Sequence, residues 1–141
     1  MDDSILLTLG ITLIQGLVWA VIFCLPGARL LQIFSNYICK FEPDYPTAYK
    51  ALLFCWLTTM FLGLIGGLVG IYLSESKVAV IVSLGISLVG TYLLALVILR
   101  HYWIDPEKGT VGMLRIFFMS GVVFGIIRLF TRVIPYIMNF V

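Results

Sequence analysis

The chain has 141 residues, of which 62% are hydrophobic and 11% charged, with a formal net charge of +2 and a mean hydropathy of +1.12. A soluble domain carries roughly 45–50% apolar and about 25% charged residues, and one this small leaves too much surface exposed to hide the excess. The composition excludes a secreted domain, a nucleic-acid partner and a disordered linker, and points to an integral membrane protein.

A bilayer core about 30 Å thick needs about 20 apolar residues in a spanning helix. The first such run, Ile5 to Leu25, follows Asp2 and Asp3 and is expected to stop at Pro26-Gly27, because an internal proline removes a helix hydrogen bond. Its acidic start and its length are unlike a signal peptide, and Asp at position 2 excludes N-myristoylation. Along the run Ser4, Thr8, Thr12, Gly16, Ala20 and Cys24 recur at every fourth position.

Residues 28–41 read as an amphipathic helix between spans one and two. On a wheel of 100° per residue, Leu30, Leu31, Ile33, Phe34, Tyr37, Ile38 and Phe41 share one side, opposite Arg29, Gln32, Ser35, Asn36, Cys39 and Lys40. Such a helix either lies in the headgroup plane or docks a partner. Arg29, Leu30, Phe34, Tyr37 and Phe41 are its candidate docking residues.

The second run, Ala51 to Leu73, repeats the small-residue spacing with Ala51, Cys55, Thr59, Gly63 and Gly67, and adds Gly66-x-x-x-Gly70. The third, Val78 to Leu99, continues it with Ala79, Ser83, Ser87, Thr91 and Ala95, and the fourth carries Gly121-x-x-x-Gly125. Small residues at this spacing let helix backbones approach closely in lipid. The candidate packing residues are therefore Gly16, Ala20, Gly63, Gly66, Gly67, Gly70, Ser83, Ser87, Gly121 and Gly125. Leucine at Gly63 and Gly67 is expected to disturb packing far more than leucine at Gly109.

Both Glu42-Pro43-Asp44-Tyr45-Pro46-Thr47 and Asp105-Pro106-Glu107-Lys108-Gly109-Thr110 read acid-Pro-acid-x-x-Thr ahead of an even-numbered span. Helix-capping chemistry used twice accounts for this; a duplicated hairpin is the alternative.

The fourth span is interrupted by Arg115, Arg128 and Arg132. Either it covers residues 111–130, with Arg115 and Arg128 snorkelling to opposite interfaces and 132–141 forming an interfacial tail kinked at Pro135, or a longer tilted helix keeps Arg128 and Arg132 inside the membrane, where a carboxylate partner is needed. Counting Lys and Arg near the span ends places Arg29, Lys40, Lys50, Arg100, Lys108 and Arg115 on one side, and Lys77, Arg128 and Arg132 on the other. This predicts cytoplasmic connections and both termini outside.

No acidic residue falls within a span, as proton and cation carriers require. The single histidine, His101, reads as interfacial, and Cys24, Cys39 and Cys55 lack metal or redox spacing. Neither a catalytic constellation, a cofactor site nor a metal site is expected. The helix entry Phe41-Glu42-Pro43-Asp44-Tyr45 resembles those of small bacterial membrane proteins in general, which suggests the bacterial cytoplasmic (inner) membrane.

The expectation is an all-α, four-helix membrane bundle with spans near 5–25, 51–73, 78–99 and 111–130. It would be a non-enzymatic accessory subunit whose partners are the lipid bilayer and other membrane subunits or copies of itself. The alternative is a homo-oligomeric pore or anion carrier lined by Gln15, Thr58, Thr59, Ser83, Ser87 and Thr91. A membrane enzyme or cofactor carrier completed by a partner's ligands is a third reading.

Overall fold

A computed structural model describes residues 3–72, 77–105 and 109–138, with the side chains at 3–6, 9, 12, 70–72, 77, 79–80, 83–84, 105, 110 and 134–138 outside the described set. Among the described residues there are four α-helices: α1 (Asp3–Cys39), α2 (Tyr45–Tyr72), α3 (Lys77–Tyr102) and α4 (Met113–Met138). Each contains a stretch long and apolar enough to cross a membrane: Leu13–Cys39, Tyr45–Val69, Gly85–Tyr102 and Met113–Val133. Successive helices pack as antiparallel neighbours, and α4 returns to α1 to close the bundle.

Helix α1 differs from the sequence expectation. It does not stop at Pro26-Gly27 but runs unbroken through Pro26 to Cys39, so residues 28–41 are not a separate interfacial helix. Proline leaves the Ile22 carbonyl without its usual donor, a loss tolerated where neighbouring helices support the backbone. Beside the proline, Tyr45 of α2 donates its hydroxyl proton to the Leu25 carbonyl at 3.0 Å and so ties this stretch of α1 to its neighbour. The four-residue row also crosses the proline. Ala20, Cys24, Ala28 and Gln32 are all buried, and Gly16 is half-buried.

The amphipathic segment faces the opposite way to a soluble helix. Ala28, Leu31, Gln32, Ser35 and Cys39 point into the bundle, whereas Ile33, Phe34 and Tyr37 are exposed. In lipid this polarity is favourable, because a buried polar group finds a partner inside the protein and an apolar one needs none outside it.

The core is concentrated at the end carrying the connections between α1 and α2 and between α3 and α4. Ala48, Ala51, Leu52, Cys55 and Trp56 of α2 meet Ala95 and Leu99 of α3, and Ile116, Met119, Val123, Ile126 and Ile127 of α4. Toward the other end the helices are more exposed, with Phe61, Ile65, Leu68 and Val69 of α2 on the surface.

The two acid-Pro-acid motifs take different structures. Asp44 precedes α2 as its N-cap, its carbonyl accepting from the Ala48 amide at 3.0 Å and its carboxylate from the Thr47 hydroxyl at 3.2 Å. The second motif instead falls in a short antiparallel hairpin, β1 (Ile104–Asp105) and β2 (Gly109–Thr110), before α4 begins at Met113. Gly109 has φ +74° there, a left-handed conformation suited to glycine. Helix α4 also continues through Pro135 to Met138, rather than ending near 130 in a kinked tail.

Candidate functional site

Two features stand out, a buried polar knot at the connection end and the outer face of α4.

The knot begins with the unsatisfied carbonyls at the end of α1. Lys40 turns the chain with φ 56°, a conformation more often given to glycine after a helix. Three side chains then hold the turn. Gln32 donates through Nε2 to the Pro43 carbonyl at 2.7 Å, Ser35 through Oγ to the Phe41 carbonyl at 2.8 Å, and Arg115 of α4 through Nη1 to the Cys39 carbonyl at 3.1 Å. Trp103, fully buried just after α3, donates its indole N–H to Ser35 Oγ at 2.8 Å. Arg29 completes the group, donating to Gln32 Oε1 at 3.1 Å with its guanidinium 5.6 Å from the centre of the Tyr45 ring. These bonds tie the end of α1 to the turn that follows it, to α4 and to Trp103, so the arrangement clamps helix ends.

The sequence pattern placed Gln32 and Ser35 on the polar side of a separate amphipathic helix. The signal for Gln32 is the small-residue row itself, which reaches it if carried across Pro26 instead of being cut there; Ser35 and Trp103 lie off that row.

Below the knot an aromatic layer joins three helices. Phe23 of α1 lies 6.3 Å from Trp56 of α2 and 4.9 Å from Phe130 of α4, and Trp56 lies 6.5 Å from Phe130. This layer sets the relative heights of the helices. Phe23 stands six residues before Arg29 and Trp56 six after Lys50, or about 9 Å along each axis. On α3, Gly90 lies against Leu62 of α2. The Phe23–Trp56 contact sets Arg29 and Lys50 at one common level, from which α1 and α2 continue uncharged. Phe130 lies between Arg128 and Arg132, so both arginines fall within that uncharged zone, nearer Arg29 and Lys50 than the sequence count assumed.

Both arginines are exposed on the bundle surface, Arg128 with its guanidinium 5.1 Å from the centre of the Phe124 ring. Beside them an open apolar groove of about 420 Å³ runs between α1 and α4, lined by Leu30, Phe34, Val122, Gly125, Ile126 and Leu129. Three of the residues singled out from sequence, Leu30, Phe34 and Gly125, thus come together here. Tyr37 is exposed elsewhere on α1, and Phe41 is half-buried in the connection.

The glycines divide into two sets. A Cβ at Gly16 would collide with Met60 Cε, and one at Gly27 would lie 2.5 Å from Leu52 Cδ2. At Gly63, Gly67, Gly121 and Gly125 it would meet no atom within 4 Å. Gly66 and Ser87 are half-buried, and the environments of Gly70 and Ser83 lie outside the described residues. Thr58, Thr59 and Thr91 return their hydroxyls to carbonyls of their own helices, at Phe54 and Cys55, at Cys55, and at Ser87. Cys24, Cys39 and Cys55 are buried free thiols. Among the described residues no three His, Cys, Asp or Glu side chains converge as metal ligands would.

Comparison with protein-family models, with curated proteins and with solved structures finds no significant match to this chain.

Proposed function

We propose that the protein is a non-enzymatic, multi-pass membrane subunit that packs against other membrane proteins in a larger complex. The observation carrying this reading is the division of its small residues. Gly16 and Gly27 are filled by neighbouring side chains, whereas Gly63, Gly67, Gly121 and Gly125 open onto the bundle surface. Lipid supplies no hydrophobic drive for helix association, so close backbone approach at glycine is a main source of contact energy. Open glycine positions on two helices are sites where a further helix gains by packing.

The threonine hydroxyls also favour packing over conduction, since those bonded to their own backbones do not present a polar lumen. The connections are proposed to face the cytoplasm of a bacterial inner membrane, because Arg29, Lys40, Lys50, Arg100, Lys108 and Arg115 flank that end.

Purification from native membranes in mild detergent, followed by identification of stoichiometric partners, tests the proposal. A different membrane protein recovered in constant ratio is expected. Recovery only as an isolated monomer refutes the subunit reading, and ion or solute flux through the purified chain in liposomes establishes the pore instead.

A further inference from the structure

We propose that the outer face of α4, together with its groove against α1, docks a transmembrane helix of a different protein that carries a membrane-embedded Asp or Glu. This rests on the subunit reading above and names the chemistry of the partner.

Arg128 and Arg132 stand beside the Phe23–Trp56–Phe130 layer, within the zone where α1 and α2 carry no charge. Arginine at such a depth is costly unless it reaches water or pairs with an anion. Both side chains are on the outer surface of the bundle, so a neighbouring molecule can reach them. A helical side chain leans toward the helix N-terminus, which brings Arg128 toward the Arg29–Lys50 level but leaves Arg132 about 6 Å deeper, four residues farther along α4.

The anion cannot come from a parallel second copy. All seven acidic residues, Asp2, Asp3, Glu42, Asp44, Glu75, Asp105 and Glu107, lie outside the uncharged stretches 4–28, 51–73 and 78–99 and outside α4. The partner must therefore supply a carboxylate that this chain does not possess at that height. The same face has room for a helix. Gly121, Gly125, Arg128 and Arg132 fall within an arc of about 60° on α4, a Cβ at either glycine meets no neighbour, and the apolar groove at Leu30, Phe34 and Leu129 adjoins them. Glycines for close approach, an apolar groove for side chains and two cations for a carboxylate together define the docking helix.

The test uses the full chain in its native membranes, with a photo-crosslinking amino acid at Leu129 and a control probe at Val97, which is exposed on α3. The Leu129 probe is expected to capture a transmembrane segment of another protein that contains Asp or Glu. Arg128→Gln with Arg132→Gln should reduce that adduct and co-purification by about tenfold or more, and Arg132→Lys should retain most of both. Thermal stability of the purified variants should be unchanged, since both side chains are exposed. Asn or Gln in place of the partner's carboxylate should reproduce the loss.

Capture of a second copy, of phospholipid alone, or of a helix without a carboxylate overturns the proposal. So does a double-glutamine variant that keeps full co-purification. A partner that co-purifies but crosslinks only from Val97 refutes this face while leaving the subunit reading intact; no partner by any route removes both.

Discussion

At Ser35 one hydroxyl joins two obligations. It accepts the indole proton of Trp103 and donates its own to the Phe41 carbonyl. Removing it leaves a buried donor and a carbonyl unpaired, and each unsatisfied group costs about 1–3 kcal/mol. Ser35→Ala is therefore expected to lower thermal stability in detergent, and so is Trp103→Phe, which removes the indole donor and part of a fully buried ring. The double variant should be less destabilised than the sum of the two, because the coupling between touching residues is counted once; strict additivity in melting experiments would show that the bond contributes nothing. Glycines 16 and 27 offer a second contrast. Alanine at Gly16 meets the mobile end of Met60, whereas alanine at Gly27 meets Leu52, which is fully buried. Gly27→Ala should cost about 1–3 kcal/mol, as overpacking does, and Gly16→Ala distinctly less, in the same melts. The sequence shows none of this difference, since both are glycines in apolar helices. Only the neighbours distinguish them.

Among the elements, α1 shows where local rules and packing part. Pro26-Gly27 has the chemistry of a helix stop, and on an isolated helix that reading would hold. Packing prevails because Gly27 lets Leu52 of α2 and Ile126 and Phe130 of α4 press onto the helix at the point where proline weakens it. If α1 is one continuous rod, Pro26→Ala should leave helical content unchanged by circular dichroism and should not lower the melting temperature. A hinge that the fold requires would give the opposite result, with lost stability or altered association. The four-helix count, the uncharged stretches and the approximate positions of α2 and α3 were legible from hydropathy and charge, because lipid solvation acts on long runs. The connections were less so. Two motifs of the same pattern became an N-cap at Asp44 and a hairpin at Asp105, since the outcome depends on which helix ends lie nearby. The knot of Gln32, Ser35, Trp103 and Arg115 is closed by hydrogen bonds spanning 68 and 76 positions, beyond the reach of any periodicity.

For the whole molecule, the uneven distribution of packing changes what glycine replacement should report. Read as sequence, Gly63 and Gly67 looked like the tightest seam and Gly109 like a neutral loop position. Within the chain the order is reversed. Gly63 and Gly67 face open space, whereas Gly109 holds φ +74°, where a side chain is strained. Leucine at Gly109 should thus destabilise the isolated chain by about 1–2 kcal/mol, the cost of a left-handed residue with a Cβ. Leucine at Gly63 with Gly67, or at Gly121 with Gly125, should leave its melting temperature nearly unchanged. In the membrane the ranking should invert once more, because a bulky side chain at an outward glycine blocks a neighbour's helix. Gly121→Leu with Gly125→Leu should then abolish co-purification of the partner while Gly109→Leu preserves it. Measuring melting and co-purification on the same variants separates the two roles. Stability loss at the outward glycines would place them inside the monomer's own seams, and intact association in the Gly121/Gly125 variant would remove α4 from the interface.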